Sequence, residues 1–246
     1  MPIRRSEKGH WPHYELLLRM RDEEGKLVAP TAFIPAAERY NLMPALDRWV
    51  IGNTLETLAF RGVPGTTPYT LAINVSGTTL NDARFLDFVL DELTAASVAP
   101  GAICFEITET AAIANLDRVI SFMRALKARG CRFSLDDFGT GLSSLTYLKN
   151  LPVDYVKIDG QFVRNVLRDG ADECVVESIA RMARAFRIHA IAERVESRDV
   201  MTRLGELGVS FAQGYFIAVP QPVSELPVRA SAAPGHESPV IRKEPV

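Results

Sequence analysis

Apolar residues recur along the chain in two rhythms. Short apolar or alternating runs at residues 2–5, 13–20, 70–76, 102–108, 132–138, 155–159, 189–195 and 211–217 read as strands. Between them apolar residues return every three or four positions, as a helix face requires. Leu116, Val119, Ile120 and Met123 form one such stripe, and Gly130 is placed to end that helix. Val175, Ile179, Met182 and Phe186 form a second, Leu86, Val89, Leu90 and Leu93 a third, and Leu46, Trp49 and Val50 lie on a fourth. Each stripe is expected to pack as core against a sheet.

Eight strands with intervening helices predict an α/β fold, a (β/α)8 or TIM barrel. The first link breaks the repeat. Only seven residues separate Arg5 from His13, too few for a helical crossover, so the first two strands should form an antiparallel hairpin. The expected architecture is a modified TIM barrel with one antiparallel strand, spanning residues 1–222. From Pro220 onward six prolines fall within 27 residues, and 223–246 are expected to form a disordered Pro-rich tail. A strand beginning at residue 2 suggests a domain excised from, or C-terminal in, a longer multidomain protein.

Composition narrows the function classes. The chain has 246 residues, 47% hydrophobic and 24% charged, an ordinary globular balance. A net charge of −2 gives no basic surface for a nucleic acid polymer. Cys104, Cys131 and Cys174 are odd in number and widely spaced, which suits buried thiols in a reducing compartment better than disulfides or a zinc site. No apolar run is long enough to cross a membrane, and nothing at the start reads as a signal peptide. The expectation is a cytoplasmic domain without membrane contact of its own, although other segments of a full-length protein could tether it.

The candidate chemistry centres on Phe133-Ser134-Leu135-Asp136-Asp137-Phe138-Gly139-Thr140-Gly141, where an apolar run delivers two adjacent carboxylates to a glycine-rich turn. Adjacent negative charges repel, and a fold tolerates them more easily with a cation between them. Turn chemistry and helix capping could also explain the pair. Other polar residues fall near the same strand ends: Glu15, Asn74, Glu106, Lys157, Glu193 and Gln213. In a barrel of this kind the C-terminal strand ends carry the active site. Singly each has a bland explanation: Glu15 paired with Arg19, Asn74 capping a helix near Thr79, Lys157 a buried partner for an aspartate. Together they crowd carboxylates, one amide and one lysine around one mouth.

Oxygen ligands without Cys or His favour Mg²⁺ or Mn²⁺. The number of carboxylates exceeds the need of one ion, so two ions about 4 Å apart, with Asp136 as a bridge, are the economical inference. That centre suits phosphodiester hydrolysis. Lys157 beside such a centre is expected to have a depressed pKa and to take a proton from, or orient, the attacking water; as an ammonium it could instead stabilise phosphate.

These residues, in this order, resemble the EAL-domain family of cyclic di-GMP phosphodiesterases. Glu15-Leu16-Leu17-Leu18-Arg19 matches the naming motif, with Leu16 where alanine is usual. Ile73-Asn74-Val75-Ser76, Glu106-Ile107-Thr108-Glu109, Asp136 to Ser144, Lys157-Ile158-Asp159, Ala192-Glu193-Arg194-Val195-Glu196 and Gln213-Gly214-Tyr215 match six further motifs in register. The resemblance implies that Glu15, Asn74, Glu106, Asp136, Asp137 and Glu193 are metal ligands and that Lys157 is the general base or positions water. Arg19 would face a phosphate, with Leu17 beside it on the substrate side, and Gln213 would support the site near Glu193. Glu109 would tether the loop of Gly139, Thr140, Gly141, Ser143 and Ser144, with Glu196 a further support. A homodimer and upstream sensory or GGDEF-type domains are the implied partners.

Leu142 stands where an aromatic is usual, Met20 where tryptophan is, and Arg194 where glycine is. Arg194 could point outward, pair with a ligand carboxylate or contact substrate. The sequence reading is thus a metal-dependent phosphodiesterase opening cyclic di-GMP to linear 5′-pGpG. The alternatives are a weak or inactive cyclic di-GMP receptor and a Mg²⁺-dependent barrel lyase using Lys157.

Overall fold

The computed structural model describes residues 1–5, 13–61, 69–140 and 145–226. Its strands are β1 (Pro2–Arg5), β2 (His13–Glu15), β3 (Met20–Arg21), β4 (Leu27–Val28), β5 (Thr70–Asn74), β6 (Ile103–Thr108), β7 (Arg132–Phe138), β8 (Tyr155–Ile158), β9 (His189–Ala192) and β10 (Phe211–Ala212). Its helices are α1 (Pro30–Arg39), α2 (Met43–Arg61), α3 (Gly77–Leu80), α4 (Phe85–Ala96), α5 (Glu109–Ala114), α6 (Leu116–Lys127), α7 (Leu145–Leu148), α8 (Gly160–Asn165), α9 (Gly170–Phe186) and α10 (Arg198–Glu206).

Eight strands close into a barrel in the order β1-β10-β9-β8-β7-β6-β5-β2, back to β1. β1 is antiparallel to both neighbours, as the short link to β2 requires. Every other barrel pairing is parallel. This is the expected modified TIM barrel. The expected tail lies, from residue 227 onward, outside the described residues.

Alternation along the strands separates two apolar layers. Leu71, Ile73, Ile103, Phe105, Phe133, Leu135, Val156 and Ile158 point outward into the core shared with the helices. Ala72, Cys104, Tyr155, Ile191 and Phe211 point inward and fill the barrel. The inward positions one step further along these strands are Asn74, Glu106, Lys157, Glu193 and Gln213, so polar side chains cap an apolar plug at the C-terminal rim.

Three differences from the sequence expectation have physical reasons. The run at 13–20 stays in the barrel only to Glu15; the Leu16 N–H makes a last bond to the Ala72 carbonyl (2.9 Å), and the chain then leaves the rim. Leu16, Leu17 and Leu18 line a groove instead, and Met20–Arg21 pairs with Leu27–Val28 in a small separate ribbon. On α2 Ile51, Leu55 and Leu58 are buried in the core and Val50 packs against it, whereas Leu46 and Trp49 line the same groove and Trp49 is 57% exposed. On α9 the buried face is Val176, Ile179, Ala180 and Ala183, and Phe186 is largely outside it. The small alanines set that helix close to the sheet. The α6 stripe packs as expected, with Gly130 at φ +100° two residues beyond the C-cap.

Candidate functional site

β7 explains how two consecutive aspartates serve one site. Successive strand residues normally face opposite ways. Here Leu135 pairs with Val156 and Phe138 with Ile158, so Asp136 and Asp137 together oppose the single residue Lys157. This is a β-bulge. Asp137 takes the left-handed conformation (φ +53°), and the Thr140 hydroxyl donates to its carbonyl at 2.9 Å. The strand therefore continues through the pair and does not end at it.

Lys157 lies at the centre, fully buried, in the middle of β8. Its Nζ donates to Glu106 Oε2 at 3.0 Å and to Asp136 Oδ2 at 3.1 Å. Glu193 Oε1 lies at 2.8 Å and Glu15 Oε2 at 3.6 Å. Glu15 also accepts from Asn74 Nδ2 at 3.0 Å and from the Gln213 amide. Gln213 is buried, so its side chain serves Glu15, while its backbone carbonyl accepts the Val195 N–H and steadies the segment after Glu193. Ser76, not Asn74, caps α3, and the buried Asp47 carboxylate on α2 accepts both the Ser76 N–H (2.9 Å) and its hydroxyl (2.7 Å). Asn74 is thereby left to the site.

One ammonium faces four carboxylates, and the charge imbalance sets the protonation. Burial alone would lower the Lys157 pKa, but Glu106, Glu15, Asp136 and Glu193 outweigh it and hold the ammonium well above the lysine range. The expected depression was for a lysine beside bound cations; among the carboxylates alone the direction is upward. Burial raises Glu106 well above the carboxylate range and Glu193 to about 7, with Lys157 opposing in both cases. Glu15 goes the other way. Burial would raise it, yet Lys157, Gln213 and Asn74 together bring it below its ordinary value. Burial and the neighbouring Asp136 and Asp159 raise Asp137.

Carboxylates whose burial favours the protonated form mark a site short of positive charge. Oxygens of Asp136, Asp137 and Glu193 lie within 4.8 Å of one another, and Glu106 Oε1 is buried without a hydrogen-bond partner. An all-oxygen donor set of this kind fits a divalent cation such as Mg²⁺.

Glu109, at the start of α5, bonds one residue on each side of 141–144. Its Oε2 accepts the Gly139 N–H at 3.1 Å, and its Oε1 accepts the Tyr147 hydroxyl from α7. Gly141, Leu142, Ser143 and Ser144 lie outside the described residues. Glu196 is exposed beside Gln161 and Arg164, on the outer side of the rim. Arg19 is exposed, bonds its neighbour's carbonyl (Leu18, 2.8 Å), and with Leu17 lines the groove of about 400 Å³ that runs along α1 and α2 to Asn74.

Sequence reasoning missed three contributors. Tyr147 gave no signal, because a tyrosine in an apolar turn reads as core. Asp159, beside Asp137, caps α8 through Gln161 N at 2.6 Å; an aspartate immediately before a helical run was a readable cue. The groove-facing side of α2 was concealed by its apolar character.

A family model described as the EAL domain matches residues 1–220. Cyclic di-GMP phosphodiesterase PdeB of Shewanella oneidensis is 40% identical over 85% of this chain and 24% of its own length. Cyclic di-GMP phosphodiesterase PdeF of Escherichia coli is 35% identical over 89% of this chain and 30% of its own. The chain thus spans about a quarter to a third of these relatives. Among solved structures, the PaMucR phosphodiesterase in complex with c-di-GMP superposes with a TM-score of 0.81 at 32% identity, covering 86% of each chain.

Proposed function

The chain belongs to the EAL-domain family, and on that footing we propose that it hydrolyses cyclic di-GMP to linear 5′-pGpG with two Mg²⁺ or Mn²⁺ ions per site. The observation that carries the reading is the bulge that sets Asp136 and Asp137 opposite Lys157, inside a ring completed by Glu15, Asn74, Glu106 and Glu193. Those six acidic and amide side chains are the proposed ligands. When bound, divalent ions acidify a water and neutralise phosphate oxygens.

The residues supply the rest. Lys157 holds three carboxylates within about 3 Å and fixes their spacing before any ligand enters. Its N–H groups can orient the water or a phosphate oxygen at the rim. In the reaction the water oxygen bonds to phosphorus, the P–O3′ bond breaks, and the proton ends on the departing 3′ oxygen. Arg19 would meet a phosphate, and the apolar groove that it lines with Leu17 and Trp49 would receive a base. Glu109 keeps the loop after the bulge in register with α7. The barrel is proposed to work as a homodimer beside sensory or GGDEF-type domains, in keeping with relatives three to four times its matched length.

The test is incubation of purified protein with cyclic di-GMP and Mg²⁺ or Mn²⁺, with products resolved by chromatography. Linear dinucleotide is expected. Tight binding without product selects the receptor alternative, and absence of binding removes the reading.

A further inference from the structure

Arg194 is the residue at the rim whose side chain nothing in the fold uses. Five described non-glycine residues have positive φ: Asn41, Ser97, Asp137, Arg187 and Arg194. Ser97 and Arg187 are C-caps of α4 and α9, where the left-handed turn ends a helix. Asp137 forms the bulge, and asparagine tolerates this region. Arg194 (φ +52°) caps no helix and follows directly on Glu193. Backbone bonds of Glu193 and Val195 on either side set that turn, which glycine would make without strain, so a long side chain kept there points to use.

Its stem is pinned. A Cβ at Gly160 would come within 2.4 Å of Arg194 Cδ and 2.6 Å of Cγ, so only glycine admits this crossing at the start of α8. The residue is nonetheless exposed, and its guanidinium makes no hydrogen bond or ion pair with a described residue, although Glu193 is adjacent. The fork is therefore fixed at its base, open at its tip, and beyond ion-pair distance of the described ring carboxylates. It stands over the β8–β9 edge of the rim, whereas Arg19 follows β2. On the proposed function a phosphate would lie among the carboxylates, and the base it carries would reach past them toward the β8–β9 side.

We propose that Arg194 is a specificity-determining residue that reads the O6/N7 edge of one guanine of cyclic di-GMP. This rests on the proposed function. Guanine offers two acceptors on that edge and matches the guanidinium fork, whereas adenine offers one acceptor and one donor.

The experiment measures Kd by calorimetry for cyclic di-GMP and cyclic di-AMP, with chelator present so that nothing turns over. Wild type is compared with Arg194→Gly, which relieves the backbone, and Arg194→Lys, which keeps the charge but not the fork. Both variants are expected to bind cyclic di-GMP about tenfold more weakly, with cyclic di-AMP unchanged. Equal weakening of both dinucleotides, rescue by lysine, or no change overturns the inference while leaving the proposed function standing. Wild type that binds no cyclic di-GMP in chelator, and neither binds nor cleaves it when Mg²⁺ is restored, removes both.

Discussion

Asp137 holds a left-handed backbone that costs a non-glycine residue roughly 1–2 kcal/mol, and the two-against-one opposition of β7 and β8 depends on it. Asp137→Asn tolerates that conformation and removes the charge, so turnover should fall by orders of magnitude while the melting curve stays in place. Asp137→Gly should be equally inactive yet about 1 kcal/mol more stable, read from urea midpoints. Glu193 gives a pH prediction. Its folded pKa of about 7 lies above the ordinary carboxylate value, so its contribution to stability is full below about pH 4.5 and is lost as pH rises through 7. In chelator, the urea midpoint should fall across that window, and Glu193→Gln should flatten the slope. The ring was legible residue by residue, because each member interrupts an apolar strand at its end. The bulge was not: a register shift belongs to two strands at once, and adjacent aspartates look the same in a strand that ends.

The segment joining β7 to α7 is coupled to α5 through Glu109, which accepts the Gly139 N–H and the Tyr147 hydroxyl. Tyr147→Phe keeps the ring and removes one hydrogen bond to a buried carboxylate. It should cost about 1–3 kcal/mol in urea denaturation and lower turnover more than binding. Unchanged stability and rate would remove Glu109 as the tether. Element boundaries set by one strong signal were readable, such as Gly130 ending α6. Element faces were less so. On α2 and on the segment after β2, apolar residues that looked like core line a groove, because hydrophobicity does not distinguish a surface facing a groove from one facing a sheet.

At the scale of the molecule, two apolar layers enclose one polar rim: an outer layer between strands and helices, and an inner plug beneath the carboxylates. Closure with one reversed strand followed from strand count and a short first link, both visible in the chain. The layers predict thiol behaviour. Burial raises Cys104 well above the thiol range and pushes Cys131 up to about 12, whereas Cys174 is exposed on α9. At pH 8 one thiol per chain should react with a chromogenic disulfide under native conditions, and three in denaturant. Two fast thiols in the native protein would contradict this layering. The rim itself is tested by following linear product from cyclic di-GMP as Mn²⁺ is titrated into metal-free protein. The rate should rise from background to a plateau with added ion and return to background with excess chelator. An undiminished rate in chelator, or no product at any Mn²⁺ concentration, would contradict a metal-dependent phosphodiesterase built on the Asp136–Asp137 bulge.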